Sequence, residues 1–261
     1  MTPNQPINIS TNQLFNYTLH LADNNLILGH RNSEWTGHGP VLEQDIALSN
    51  IALDLVGQAR NFYQYAAQLK NDGSTEDTFA YLRDANEFKN VLLVEQSNGD
   101  WGKTILRQFL FSVYQYYLYQ QLEKCSDRTI ASITEKALKE ITYHIRWSSE
   151  WVIRLGDGTI ESHARMNNAL HELSEFTDEL FIPASYEIEI ARQGIMVDPV
   201  FINARWREKV EAILREATLP FLSEDNNKQS LSGKEGQHTE NLIHILSEMQ
   251  SLQRAYPGCE W

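Results

Sequence analysis

The stretch that decides the fold is residues 41–69, which read VLEQDIALSNIALDLVGQARNFYQYAAQL. It contains no proline and only one interior glycine. The polar residues Asn50, Asp54, Gln58 and Asn61 recur at steps of three and four, whereas the other positions are mostly apolar. This spacing predicts a helix. At about 1.5 Å per residue the helix would be roughly 40 Å long, which is typical of a large helical bundle.

The rest of the chain has the same helical character and shows no convincing strand pattern. We therefore predict an all-α protein and a single domain over residues 1–261, with a bundle core at 11–181 and a C-terminal helical extension at 184–261. The segment 184–197 is ambiguous, and the polar, Gly- and Ser-rich stretch 223–236 predicts a mobile loop. The predicted helices span residues 11–30, 41–69, 75–88, 101–124, 128–155, 159–181, 199–220 and 238–254.

Composition excludes several classes of protein. The 261 residues carry a formal net charge of −13, which disfavours binding to nucleic acids or to anionic membranes. The two cysteines, Cys125 and Cys259, form neither a disulfide framework nor a zinc motif. Residues 1–12 lack the pattern of a signal peptide, and no apolar run is long enough to span a membrane. We expect a cytoplasmic protein.

Two segments that each begin with an acidic residue suggest an altered metal site. In ferritin-like di-iron bundles, two helices each supply Glu-x-x-His and two others each supply one Glu. Asp54-Leu-Val-Gly57 and Glu140-Ile-Thr-Tyr143 have the spacing of two such pairs, but Gly57 and Tyr143 replace the histidines. Asp23 lies 31 residues before Asp54, where a lone carboxylate ligand would stand.

The second lone carboxylate has no counterpart. No Asp or Glu occurs between residues 101 and 122, on the helix that would have to supply it. Because two ferrous ions need about six nitrogen or oxygen ligands, a di-iron centre in this chain is not expected. The alternatives for Asp54 are a solvent-exposed face or a pair with Arg60 or an Asn.

Glu140 shares an otherwise apolar helix face with His144. Such a pair can bind a metal, or its two members can satisfy each other in a core. Our hypothesis is that Asp54, Glu140, Tyr143 and His144 form a buried polar network in place of the metals.

Residues 233–239 offer a second candidate site. They read GKEGQHT and precede a predicted helix, so backbone amides and Lys234 could hold an anion. A plain flexible linker is the alternative. We take Lys234 and His238 as candidate contacts for a partner or for coenzyme A.

Several segments together resemble one family over nearly the whole chain. The chain is similar to the C subunits of ring 1,2-phenylacetyl-CoA epoxidases, which are bacterial multicomponent monooxygenases of phenylacetate catabolism. The segment 50–61 is the most distinctive. The segments that carry the resemblance are LADNN at 21–25, GHGP at 37–40, NIALDLVGQARN at 50–61, LLVEQ at 92–96, KEITYH at 139–144, GKEGQHTE at 233–240, EMQSLQR at 248–254 and the terminal Trp261.

This resemblance implies a ferritin-like structural subunit with a degenerate di-iron site. Its partner is a homologous catalytic A subunit, which carries the di-iron cofactor and activates O2 to epoxidise the aromatic ring, with phenylacetyl-CoA near the interface. A separate reductase supplies electrons. The chain itself would bind no cofactor.

Two alternative functions stay open on the sequence alone. One is a stand-alone metal-dependent oxygenase with an atypical site, and the other is a CoA-ester-binding module. The sequence does not identify the partner-facing surface, nor does it show whether the isolated chain forms a homodimer.

Overall fold

The computed structural model describes residues 9–221, 231–257 and 259, and throughout these residues the regular structure is helical, without a strand. The predicted all-α class is therefore confirmed, and the arrangement is consistent with a ferritin-like bundle. The α-helices are α1 (Ile9–Ser33), α2 (Leu42–Lys70), α3 (Glu76–Tyr81), α4 (Leu92–Glu95), α5 (Trp101–Leu122), α6 (Arg128–Gly156), α7 (Ile160–Ser174), α8 (Ser185–Ala191), α9 (Pro199–Glu216), α10 (Glu240–Met249) and α11 (Ser251–Ala255).

The four longest helices form the centre of the molecule. Helix α1 packs along α2, α5 packs along α6, and α2 also contacts α6. Helix α5 is buried on nearly every side, including its aromatic residues Phe109, Phe111, Tyr114 and Tyr119. A helix that carries apolar residues on all of its faces is expected in such a central position. Helices α7, α8 and α9 cover α5 and α1 from outside.

Side-chain caps fix where several helices begin. The Asp100 carboxylate accepts a hydrogen bond from the backbone N–H of Lys103 at the start of α5. Asp127 does the same for Thr129 and Ile130 at the start of α6. Asp198 caps α9, whose first residue is Pro199. Caps of this kind stabilise a helix by about 1 kcal/mol each, and proline suits the first helical position.

The connections differ from the sequence prediction. The segment 75–88 is not one helix but α3 followed by a 3-10 turn, Ala85–Glu87. The helix predicted over 159–181 ends at Ser174, and a second 3-10 turn, Asp178–Phe181, follows it. The ambiguous segment 184–197 contains α8, and α4 was not predicted. These short elements are held by contacts with the bundle, which local periodicity does not show.

The predicted loop 223–236 is only partly described, because residues 222–230 lie outside the described residues. Its end is ordered as a 3-10 turn, Gly233–Glu235, in which Gly233 and Lys234 are buried. A Cβ on Gly233 would come within 2.2 Å of the carbonyl oxygen of Asn90, so only glycine permits this close approach. The prediction of a mobile loop is therefore wrong for residues 231–236.

A buried carboxylate fastens this segment to the bundle. Glu95 accepts hydrogen bonds from Asn90 Nδ2 (2.8 Å) and from the backbone N–H and hydroxyl of Thr239 (2.7 and 2.8 Å). It also pairs with His238 Nδ1 at 2.8 Å, and His238 Nε2 donates to the carbonyl of Phe88 at 2.9 Å. Both ring nitrogens of His238 thus face acceptors, which favours the doubly protonated, charged imidazolium.

The titration of His238 follows from these contacts. Burial by itself would lower the pKa of His238, but the hydrogen bond to Glu95 and the negative charge of Glu95 raise it more, so the pKa lies above its usual 6.5. A histidine with a raised folded-state pKa stabilises the fold fully below the unfolded pKa. That contribution is lost as the pH rises through the folded-state pKa.

We predict that His238→Gln removes a pH-dependent part of the free energy of unfolding. The free energy of unfolding of the wild type should exceed that of the variant by the largest amount near pH 6. This difference should shrink as the pH is raised above neutrality, because the imidazolium then loses its proton. Urea unfolding at a series of pH values measures this difference. The control is His244→Gln at an exposed position of α10, which should change the free energy of unfolding less than His238→Gln does near pH 6. A difference between wild type and His238→Gln that does not change with pH would contradict the prediction.

Candidate functional site

A chain of polar side chains crosses the centre of the bundle, and each long helix contributes to it. Gln115 Nε2 on α5 lies 2.7 Å from Asn25 Oδ1 on α1 and 3.1 Å from Gln58 Oε1 on α2. Gln58 Nε2 donates to Glu140 Oε2 on α6 at 2.8 Å. Asn25 Nδ2 donates to the hydroxyl of Tyr119 at 2.9 Å. We call these five residues the amide chain.

The amide chain is nearly neutral, because Glu140 is its one carboxylate. Asn25, Gln58 and Gln115 are buried, and each carries a neutral side chain with both donor and acceptor groups. Neutral amides therefore link the helices without the cost of burying several charges.

This set of donors does not fit a di-iron centre. A ferritin-like centre takes a carboxylate from each of four helices and two histidines. Here three of the four helices contribute an amide. Across the described part of the chain, no group of three or more His, Cys, Asp or Glu side chains lies close enough to hold a metal ion.

Asp54 and His144 form a separate pair beside the amide chain. His144 Nε2 lies 3.0 Å from Asp54 Oδ2, and the pair connects α6 to α2. The histidine is fully buried, whereas the Asp54 side chain is 35% exposed. The expected alternative partner, Arg60, instead contacts Glu76. Asp54 and Glu140 also line a surface groove of about 270 Å³ between α2 and α6.

Gly57 and Tyr143 do not face inward. Gly57 is exposed and Tyr143 is 38% exposed, so the hypothesis that Tyr143 belongs to a buried network is wrong. The reason is the helical step of about 100° per residue. The buried face of each helix lies on the side of Gln58 and His144, four residues after each acid. The residue three positions after each acid therefore points away from the core.

Asp23 belongs to another cluster. It is fully buried, where Tyr63 donates to Oδ1 at 2.5 Å and the backbone N–H of Lys89 donates to Oδ2 at 2.8 Å. Arg83 forms an ion pair with the same carboxylate. Asp23 is two residues, or about 200°, away from Asn25 on α1, so it faces the connection after α3 and not the amide chain.

Lys234 and His238 are both bonded within the chain. The Lys234 ammonium contacts Glu187 Oε2 (3.1 Å) and the carbonyl oxygens of Leu180 (3.3 Å) and Ile182 (3.1 Å). Its backbone N–H donates to Glu179 at 3.3 Å, so the anion held at this turn is an internal carboxylate. A contact of either residue with a partner or with coenzyme A stays a prediction.

Sequence reasoning missed Asn25, Gln58 and Gln115 as members of the central network. A signal was available on α5, where Gln108 and Gln115 are seven residues apart and therefore lie on the same face of the helix. Gln108 is also buried, and it accepts a hydrogen bond from Asn32 on α1 at 2.7 Å. A buried amide at two turns' spacing indicates a polar seam between helices.

Comparison with known proteins identifies the family. The family model described as phenylacetic acid catabolic protein matches residues 1–261. The chain belongs to this family. The chain is also 47% identical, over 250 residues, to the C subunit of the 1,2-phenylacetyl-CoA epoxidase of Escherichia coli (strain K12), and the match covers 96% of this chain and 100% of that relative. The resemblance that the sequence motifs indicate is thus confirmed.

In the described residues, no helix is long and apolar enough to cross a membrane.

We predict that Gln115→Met destabilises the fold by about 1–3 kcal/mol, because Asn25 Oδ1 and Gln58 Oε1 then lose a buried hydrogen-bond donor. The side chain keeps its length, so little of the loss comes from a cavity. Urea unfolding measures the change. The control is Gln120→Met on a more exposed side of α5, which should cost less. Equal stability of Gln115→Met and wild type would show that the amide chain contributes little.

Proposed function

We propose that this chain is the non-catalytic structural C subunit of a phenylacetyl-CoA ring epoxidase. It supports a homologous di-iron A subunit in aerobic phenylacetate catabolism, and a cytoplasmic location is part of the proposal. The amide chain carries it, because the groups that α1, α2 and α5 contribute to this central chain are neutral amides, whereas a di-iron bundle directs carboxylates inward from all four helices. The similarity to the C subunit of an epoxidase supports the same assignment.

The way in which the bundle is held supports the proposed structural role. Hydrogen bonds between largely neutral groups link α1, α2, α5 and α6, so the four helices need no metal ion to bring them together. Such a bundle offers a partner a stable surface whether or not iron is supplied. The cofactor and the oxygen chemistry then belong to the A subunit, and a reductase is a further component.

A row of exposed apolar side chains on α2 supports a partner surface. Leu42 is 71% exposed and Leu53 69%, and Ile46 and Val56 are also exposed. With about 100° per residue these four lie within roughly 80° of one another on one side of the helix. We call them the α2 stripe. Exposed apolar side chains on one side of a helix are typical of a protein interface. We propose that the α2 stripe is covered by the A subunit.

We predict that Leu53→Asp weakens the complex with the A subunit by at least about tenfold, because a charge would be buried in the apolar interface. Biolayer interferometry with the purified A subunit measures the affinity. Ile160→Asp is the matched control, since Ile160 is exposed at the start of α7 and lies outside the stripe. Equal affinities of wild type and Leu53→Asp would exclude the stripe as the interface.

The function itself is tested by reconstitution. The chain, the A subunit and the reductase are purified separately and together, and iron per chain and epoxidation of phenylacetyl-CoA are measured. We expect iron in the A subunit, no turnover by this chain alone, and higher activity or stability of the A subunit in its presence.

The other outcomes identify the rival functions. Close to two irons in this chain, or O2-dependent turnover by it alone, would contradict the proposal and favour a stand-alone oxygenase. Calorimetric binding of phenylacetyl-CoA to the isolated chain would favour a CoA-ester-binding module. Gel filtration of the isolated chain shows whether it forms a homodimer.

A further inference from the structure

An apolar cavity of about 240 Å³ lies between the outer helices α8 and α9 and the central helices α1 and α5. Its lining is mainly aliphatic, and four isoleucines contribute to it. Voids larger than a water molecule are rare in close-packed protein interiors, so a space of this size is unusual. The apolar residues that matter here are Phe181, Pro183, Ile188, Ile190, Ala191, Ile195, Val197 and Ile202.

The apolar wall of this cavity can be reached from solvent. Pro183 and Ile188 line the cavity and are exposed, and the side chain of Ile188 is 51% exposed. Phe181, Ala191 and Val197, which also line it, are half-buried. A molecule that enters beside Ile188 therefore meets accessible hydrocarbon groups, and its binding requires no contact with a sealed polar group.

Hydrogen bonds beside the cavity hold its outer wall in place. The Lys234 ammonium donates to the carbonyl oxygen of Ile182 (3.1 Å) and to Glu187 Oε2 (3.1 Å). Near the start of α9, Gln121 Oε1 accepts a hydrogen bond from the backbone N–H of Asp198 at 2.7 Å. The wall cannot move inward without breaking such bonds. An apolar space that cannot collapse leaves its lining without van der Waals partners, and a ligand would supply them.

The charge balance determines which ligands are accepted. Lys234 and Glu187 are the charged residues of the described lining, and they are paired with each other at 3.1 Å. An anionic ligand would be repelled by Glu187, and the ammonium hydrogens of Lys234 are already directed at Glu187 and at two backbone carbonyls. A cationic ligand would be repelled by Lys234. Either charge would also lose its hydration in a largely apolar space.

The size of the cavity limits the ligand further. An apolar protein cavity of about 150 Å³ is enough to hold benzene. A cavity of about 240 Å³ therefore has room for one substituted aromatic ring, but not for a whole CoA thioester.

We propose that this cavity is a binding site for a small uncharged apolar molecule, of about the size of one aromatic ring with a short hydrocarbon substituent. The molecule packs against the accessible aliphatic wall and needs no polar contact. This inference does not depend on the proposed function, because it concerns the isolated chain and another ligand class.

Methyl NMR tests binding and location together. The full chain, labelled with 13C at the δ1 methyl groups of isoleucine, is titrated with toluene. The aromatic ring current should shift the signals of the four isoleucines of the lining with one common dissociation constant of about 1 mM or lower. The signals of Ile51 on α2 and Ile243 on α10, which lie outside the lining, should stay in place.

Two charged molecules of similar shape test the ligand class. Benzoate is an anion and benzylamine is a cation at neutral pH. Both should bind at least about tenfold more weakly than toluene, because a charge loses its hydration in the cavity. Tighter binding of either molecule than of toluene would overturn the assigned class.

A cavity-filling variant tests the site itself. Ala191→Phe should abolish the binding of toluene, whereas Ala204→Phe, at an exposed position of α9, should leave it unchanged. Circular dichroism and the melting temperature check that each variant is folded. Ala191→Leu serves as a smaller filling change if the Phe variant does not fold, and it should weaken binding.

Three results would overturn the proposal. These are no binding of toluene to the wild-type chain, shifts that do not favour the isoleucines of the lining, and binding that survives unchanged when the cavity is filled in a folded variant. None of these results bears on the reconstitution with the A subunit, so the two proposals fail separately.

Discussion

The hydrogen bonds of the Gln115 amide group are the interaction on which the bundle depends. It projects from α5, the helix buried on nearly all sides, and reaches α1 through Asn25 and α2 through Gln58. Gln58 extends the same connection to Glu140 on α6. A carboxylate at position 115 would face the amide oxygens of two neighbours and would need a cation to be tolerated there. The neutral amide removes that requirement.

Charged side chains are also buried outside the amide chain, where the following side chains of opposite charge form pairs. Asp23 pairs with Arg83, Glu95 with His238, and Glu187 with Lys234. In each pair, at least one member lies on a short helix, a turn or a connecting segment. Such a segment has little hydrophobic core of its own. Removing one member of such a pair leaves an uncompensated charge, so these pairs fix the placement of the segments strongly. The centre of the bundle is thus nearly neutral, and these ionic contacts lie around it.

The long helices could be predicted because their periodicity is a local property of the sequence. The same holds for the absence of acids on α5, which is visible in the residues themselves and argues against a di-iron centre. Whether Gly57 and Tyr143 point toward the core or toward solvent could not be predicted. A rotation of one helix by about 60° about its axis changes which residue points inward. The partners of Asp23 and Lys234 are about 50 to 60 residues away in sequence, so no local pattern reveals them.

The position of the amide chain also bears on the proposed interface. Leu53 belongs to the α2 stripe and lines the groove between α2 and α6, together with Asp54, Gln58 and Glu140. A partner that covers Leu53 therefore approaches the outer end of the amide chain. Burying the Asp54 carboxylate further would cost free energy if it had no hydrogen-bond donor. His144 already supplies such a donor, and Lys136 lies in the same groove. The groove that contains Asp54 and Glu140 is thus adjacent to the interface that we propose.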